Sequence, residues 1–253
     1  MYNIIVPIDF SYAAECALQY AYRLALFMKT AKIELFHAYQ TPLVESVGSF
    51  EELELLAASV REEKIVQLKV FVQKSFKRMH VKNQVEIEYI AAEGEIAGLL
   101  AQYTESRHLI VMGTEGQSHS ETFTHGSLTS EVLLHVSVPV LVVPVGAEFT
   151  KPKSLLFAID YENYDRSALY SLASFANAAN ASVTLLHIHP DTGYFDHKKM
   201  TNYRKTLRDI LPNENMKLVF LTGENLEQSI FNYLEEKKIR LTGITQQERN
   251  YIE

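Results

Sequence analysis

Gly113, Gly116 and Gly126-Ser127 are the residues of this chain whose types and spacing point most directly to chemistry. Two residues separate the first pair of glycines, and nine separate Gly116 from Gly126. A strand-like run, Leu109-Ile-Val-Met112, precedes them, and Leu128, Val132, Leu133 and Val136 follow at helical spacing. Glycines between a strand and a helix N-terminus let backbone N–H groups come close to a phosphate. The helix dipole and the orphan amides of its first turn then favour the negative charge. The competing reading is a loop whose glycines only serve turns.

Other candidates carry their own alternatives. Asp9 ends an apolar run, Asn3 to Ile8, where a carboxylate can meet a ligand or accept local amides. Ser11 is either a ligand contact or the N-cap of the helix that follows. His37 sits in a strand-like run and reads as a core histidine bonded to a carbonyl rather than a metal ligand. His119 and His125 lie inside the glycine loop, at a spacing that matches no zinc pattern. Cys16, the single cysteine, falls on the core face of the first helix and reads as a structural thiol. No Ser-His-Asp order, no paired catalytic carboxylates and no Gly-x4-Gly-Lys-Ser/Thr loop stand out.

The elements needed to position these groups follow from periodicity. Short apolar strands are predicted near 3–8, 32–38, 85–91, 108–113 and 139–144. Helices are predicted near 12–29, 50–79, 95–106 and 126–136. Strands apolar on both faces and separated by helices imply a parallel sheet covered on both sides, in a doubly wound α/β fold. In such sheets ligands bind beyond the carboxyl ends of the strands, at the topological switch point. The first strand ends at Ile8-Asp9 and the fourth at Met112-Gly113, so both would border one crevice.

The composition, 47% hydrophobic and 22% charged, is that of a globular protein able to bury a core. No apolar run reaches membrane-span length, and no basic leader precedes the first strand. A lone cysteine fits a reducing cytoplasm. The net charge of −7 resides in residues 1–150, while residues 151–253 are neutral. Neither half has the basic field of a nucleic-acid binder. Lys64, Lys69, Lys74, Lys77 and Arg78 share one predicted helix with Glu62 and Glu63 and read as a solvated face.

After Gly146–Pro152 the pattern restarts. Ser154 to Asp160 repeats the strand-then-aspartate opening. Ser182 to Ile188 echoes Lys32 to Ala38, and Gly223-Glu224 matches Gly94-Glu95. Two related α/β domains in tandem are expected, at 1–147 and 153–253. The second has Ile244-Thr-Gln-Gln247 where the first has Gly113-Thr-Glu-Gly116. It stops at Glu253 before any equivalent of the Gly126-Ser127 helix or the last Val-rich strand. It is therefore expected to be incomplete and to lack the phosphate limb.

Three segments, in order, carry a likeness: Asn3-Ile-Ile-Val-Pro-Ile-Asp9-Phe-Ser11; the glycine motif; and Glu131, Val132, His135 with Val138-Pro139-Val140-Leu141-Val142-Val143-Pro144. Together they resemble the universal stress protein family, convincingly over Met1 to Val145 and more weakly beyond Lys153. The resemblance implies the adenine nucleotide alpha hydrolase-like fold in both domains. It also implies ATP, or another adenine nucleotide, as ligand, with Mg²⁺ or Mn²⁺. By the resemblance Asp9 lies near the nucleoside, and backbone groups of Ile8 and Ala38 meet the adenine edge. Met112, Gly113, Gly116, Gly126 and Ser127 line the phosphate path, and Leu128 and Thr129 open the helix that receives it. Gln117 stands where many nucleotide-binding relatives have a basic residue. With no Lys or Arg from His108 to Thr150, phosphate would rely on amides, hydroxyls and a divalent ion.

The function so implied is a cytoplasmic, nucleotide-binding stress-response or regulatory protein with at most slow ATP hydrolysis. A homodimer through the edge strand Val138–Val143 is expected, with no nucleic-acid or membrane partner. The alternative is a ligand-free interaction scaffold with a vestigial site. An adenylating enzyme of the same layer architecture is disfavoured, because Asp9-Phe-Ser-Tyr12 replaces the Ser-Gly-Gly-rich loop such enzymes carry.

Overall fold

The computed structural model describes residues 3–30, 32–41, 50–105, 108–114, 128–160, 165–189, 201, 204–205, 207 and 216–244. The chain divides into two compact units, Met1–Thr150 and Lys151–Glu253.

The first unit alternates strands and helices: β1 (Asn3–Pro7), α1 (Tyr12–Met28), β2 (Lys32–Tyr39), α2 (Phe50–Met79), β3 (Glu86–Glu93), α3 (Ile96–Tyr103), β4 (His108–Thr114), α4 (Leu128–His135) and β5 (Val140–Pro144). All pairings are parallel, in the order β3-β2-β1-β4-β5. Every strand and helix predicted for this half is present, with ends displaced by a few residues. The α/β reading is correct for both halves.

Ile4, Ile5 and Val6 are all fully buried, which two covered faces require. One face carries α3 and α4: Ile5, Phe36, Ile110 and Met112 pack there with Ala97, Leu100 and Val132. α1 and α2 touch each other, and α1 packs on β1 and β4. The alternation of the strands thus divides Ile4 from Ile5 and Leu35 from Phe36 between two cores.

α1 shows why its helix begins and ends where it does. Ser11 is the N-cap, extended at φ −70° and ψ 166°, with its hydroxyl accepting from the Ala14 amide at 3.1 Å. Lys29 closes the helix in the left-handed region and donates to the Ala25 carbonyl. Ser11 is the N-cap that its place before an apolar-periodic helix predicts. β1 and β4 are adjacent and β4's connections run to the other face, so the switch point lies between their carboxyl ends.

The second unit holds β6 (Ser154–Ala158), α5 (Arg166–Ala179), β7 (Ser182–His189), β8 (Met216–Thr222), α6 (Leu226–Lys237) and β9 (Leu241–Gly243), with Thr201, Arg204, Lys205 and Leu207 also helical. Its sheet is parallel in the order β8-β7-β6-β9, the first unit's order without a fifth strand among the described residues. No residue of α6 is buried, whereas its counterpart α3 buries Ala97 and Leu100 beside α4.

Register corrects one comparison. The Ile8 amide donates to Phe36 at 2.8 Å, and the Ile159 amide donates to Leu186 at 2.9 Å, so Ile8 and Ile159 hold the same place. Ile4 then corresponds to Leu155, and their partners Leu109 and Leu241 correspond in turn. Ile244 therefore stands for Met112, not Gly113. The residue in line with Gly113 is Thr245, one position on and outside the described residues. Gly243 takes the place of Val111 for a packing reason. A Cβ there would meet the Phe157 ring at 2.6 Å, and Phe157 replaces the smaller Val6.

Candidate functional site

The crevice begins where β1 and β2 part. Pro7 is the last β1 residue paired to β2, opposite Phe36. Beyond it the Ile8 amide still reaches the Phe36 carbonyl, and His37 Nδ1 lies 2.7 Å from the Ile8 carbonyl. Both backbone groups of Ile8 thus already have partners, and its side chain is buried. Ala38 differs. Phe36 points its carbonyl toward β1, so Ala38, two residues on, points its N–H and C=O the same way, past the point where β1 has turned off. Among the described residues these two groups have no hydrogen-bond partner toward β1, and a strand edge of that kind is suited to a heterocycle with donor and acceptor side by side.

Asp9 follows at once and is exposed. Its Oδ1 accepts from the Ser11 amide at 2.9 Å, the local role weighed against ligand binding, and its other oxygen points to no described partner. Phe10 then adopts φ +65°, a left-handed conformation uncommon for a bulky residue. Its ring rests against His37, centroids 4.6 Å apart, and edge-on to Phe71. Burial pushes the His37 imidazole below its ordinary value, and the Lys64 charge adds to this; the Ile8 carbonyl and Asp9 oppose. A neutral ring with its proton on Nδ1, donating to Ile8, satisfies these contacts. His37 is the carbonyl-bonded core histidine expected.

On the β4 side, Met112 is 3% exposed and belongs to the core shared with α3 and α4, so its side chain faces away from the crevice. Gly113 has a role that spacing did not reveal. A Cβ there would lie 2.1 Å from the Ala13 carbonyl oxygen and 2.4 Å from its carbon. The first turn of α1 sits directly on Gly113, so this glycine is demanded by close packing of backbones whether or not phosphate binds. The same contact brings the N-terminal end of α1 to the edge of the crevice.

Leu128 and Thr129 begin α4, Leu128 being 38% exposed and Thr129 half-buried. Gly116, Gln117, Gly126, Ser127, His119 and His125 lie outside the described residues. The described part of the crevice therefore brings together Ile8, Asp9, Ala38, Met112 and Gly113. Among the described residues no three His, Cys, Asp or Glu side chains cluster as a metal site.

Sequence reasoning passed over a second polar cluster, on the strands rather than at their carboxyl ends. Glu34, 1% exposed, receives Asn3 Nδ2 at 3.1 Å and Lys32 Nζ at 2.9 Å, with His108 Nε2 3.7 Å away. Tyr103 stacks on His108, ring centroids 6.0 Å apart, with the Glu34 carboxylate close by. Burial and that carboxylate push its phenol up to about 12. Glutamate inside the run Ile33–Phe36 is the signal that could have found it.

Known proteins place this geometry in a family. The universal stress protein family matches residues 1–144. The chain belongs to that family. Among solved structures, a universal stress protein from Archaeoglobus fulgidus DSM 4304 is 14% identical, with 96% of this chain and 86% of that one covered at a TM-score of 0.64. A putative universal stress protein from Pseudomonas aeruginosa UCBPP-PA14 is 16% identical over 100% of this chain and 84% of its own, at 0.52. These likenesses extend across both units and concern the fold. No curated protein is similar enough to count as a relative.

Proposed function

We propose that the N-terminal domain of this universal stress protein binds one adenine nucleotide, ATP foremost, and that binding serves stress-response regulation rather than catalysis. The observation that carries the reading is the backbone of Ala38, without a partner toward β1 among the described residues, beside exposed Asp9 and across the switch point from Gly113. An adenine edge can pair with such a strand edge, and the Asp9 oxygen with no described partner would accept from a ribose hydroxyl. The phosphates would then run toward Gly116, Gly126 and Ser127, with Mg²⁺ or Mn²⁺ neutralising them where the sequence offers no cation. The residues that are described fit the nucleoside half of the ligand.

The second unit fits a tandem domain of the same family with an incomplete site. Three contacts recur in it: Ile159 to Leu186, His187 to Ile159, and the Gly223 amide to His189, matching Ile8 to Phe36, His37 to Ile8, and Gly94 to Tyr39. β5 is the edge strand of its sheet, which supports a homodimer through Val138–Val143. No helix among the described residues is long and apolar enough to cross a membrane.

Mass spectrometry of copurifying nucleotide, followed by calorimetry with ATP and Mg²⁺, tests the assignment. One ATP per chain is expected, lost in the Gly116→Val, Gly126→Val double variant, because side chains would stand where phosphate oxygens approach the backbone. Unchanged binding in that variant would defeat it. The scaffold reading has one observation in its favour, Glu115 and Glu121 in a loop without Lys or Arg. It predicts no nucleotide in the purified protein and no heat with ATP.

A further inference from the structure

Val66, Val70, Lys74 and Arg78 lie four residues apart on α2 and so form a single stripe along one side of the helix. The stripe is apolar for two turns and cationic for the next two. Val66 and Val70 are 52% and 42% exposed, although Leu68 and Val72 of the same turns are buried. The stripe forms one wall of a groove of about 680 Å³ whose other wall is the first turn of α1, at Tyr12 and Glu15. Phe10 and Phe71, ring against ring, close its apolar part. The left-handed backbone of Phe10 is what carries its ring there.

We propose that this groove binds a small amphipathic monoanion, an extended acyl carboxylate of medium chain length. Its tail lies along Val66, Val70, Phe71 and Phe10, and its carboxylate meets Lys74. Charge selects the sign. The Glu15 carboxylate is buried and already taken by the Arg78 guanidinium, with Gln19 Nε2 at 3.4 Å. Lys74 has no carboxylate partner among the described residues, so the groove presents one uncompensated positive charge on a domain whose net charge is negative. Shape selects the tail. From Val66 to Arg78 the stripe runs about 18 Å at the helical rise, long and narrow rather than round. The site uses no residue of the nucleotide motif, and its test is independent of nucleotide binding.

Laurate, below its micelle concentration, is titrated calorimetrically into the full chain, with dodecylammonium as the opposite-charge probe. One saturable laurate site per chain is expected, with no comparable site for the amine. Lys74→Glu reverses the charge at the carboxylate end and should weaken laurate about tenfold. Val70→Asp puts a carboxylate beside the tail and should weaken it about as much, or about tenfold. Both positions are exposed, so the variants should melt like the wild type, and each is assayed only as a folded chain with ATP titrated in parallel. Absence of saturable laurate binding overturns the proposal. So does laurate affinity that both variants retain within about twofold, or amine binding equal to that of laurate.

Discussion

Replacing Gly113 with alanine separates two explanations of the same residue. The added methyl would stand 2.1 Å from the Ala13 oxygen and 3.1 Å from the Ala13 Cα, against the roughly 3.5 Å that non-bonded heavy atoms prefer. The obstacle is helix backbone, which cannot rotate aside as a side chain would. α1 is anchored by the buried residues Ala14, Ala17, Leu18 and Ala21, and β4 by Leu109 to Met112, so neither partner can retreat freely. Overpacking of this kind costs about 1–3 kcal/mol, and the rigid obstacle puts it near the upper end, about 3 kcal/mol. Alanine also restricts the unfolded chain, which offsets about 0.5–1 kcal/mol. The net loss is then about 2 kcal/mol, or about 4–8 °C in the melting of a domain this size. Differential scanning calorimetry of the N-terminal domain's transition in the full chain reads it directly. A phosphate-only role for Gly113 predicts wild-type melting with lost ATP binding. Melting within about 1 °C of wild type would refute the packing argument.

Three further outcomes follow from the same structure. Gly98, inside α3, has nothing within 4 Å of its would-be Cβ, so Gly98→Ala should stabilise the domain by about 0.5–1 kcal/mol in urea unfolding; a loss of stability would contradict it. His37 is held neutral in the fold by burial, while the unfolded imidazole protonates near its ordinary value, about 6.5. Its contribution is present above that pH and lost as pH falls, so wild type should begin to lose its advantage over His37→Gln as pH drops below about 6.5, and a pH-independent difference would count against the contact. The Tyr103 phenol, pushed up to about 12, keeps its proton in the fold after the unfolded phenol has lost its own. Its stabilisation is present below about pH 10 and lost as pH rises further. Ultraviolet titration of wild type against Tyr103→Phe should remove one late-ionising tyrosine; removal of an ordinary one would overturn the assignment of burial beside Glu34 as what raises this phenol.

What the sequence made legible was whatever side-chain periodicity encodes. Ile4 to Val6, Leu35-Phe36 and Leu109 to Met112 read as two-sided strands because both faces of the sheet are covered. The α1 cap was legible because Ser precedes an apolar-periodic helix. Backbone-to-backbone approach leaves no periodic trace, so Gly113 was read through the phosphate motif and not through Ala13. The left-handed backbone of Phe10 was equally invisible, since nothing in its type announces it. Glu34 was missed because one carboxylate in an apolar run does not interrupt the pattern; Lys32 and Asn3 both meet its Oε1, while Oε2 has no hydrogen-bond partner among the described residues. Ile244 falls one residue short of the place its sequence neighbours suggest, because only strand pairing fixes register.

The two domains together show which part of the crevice can distinguish binding from architecture. In both, a histidine on the second strand holds the isoleucine carbonyl just past the first, at 2.7 Å and 3.0 Å, and an aspartate follows that isoleucine. This latch ties two parallel strands where their ladder ends, in the domain with the glycine motif and in the one without it. It therefore does not depend on the glycine motif, and the same holds for an aspartate in the place of Asp9 and Asp160. The fourth strand differs. In the first domain Met112-Gly113 admits the end of α1 and opens the series of three spaced glycines. In the second, Gly243 is consumed by the Phe157 ring and Ile244 stands in the place of Met112, 75% exposed. A nucleotide bound by this protein should thus depend on the residues that follow β4, and the strand-end histidines and aspartates alone predict none.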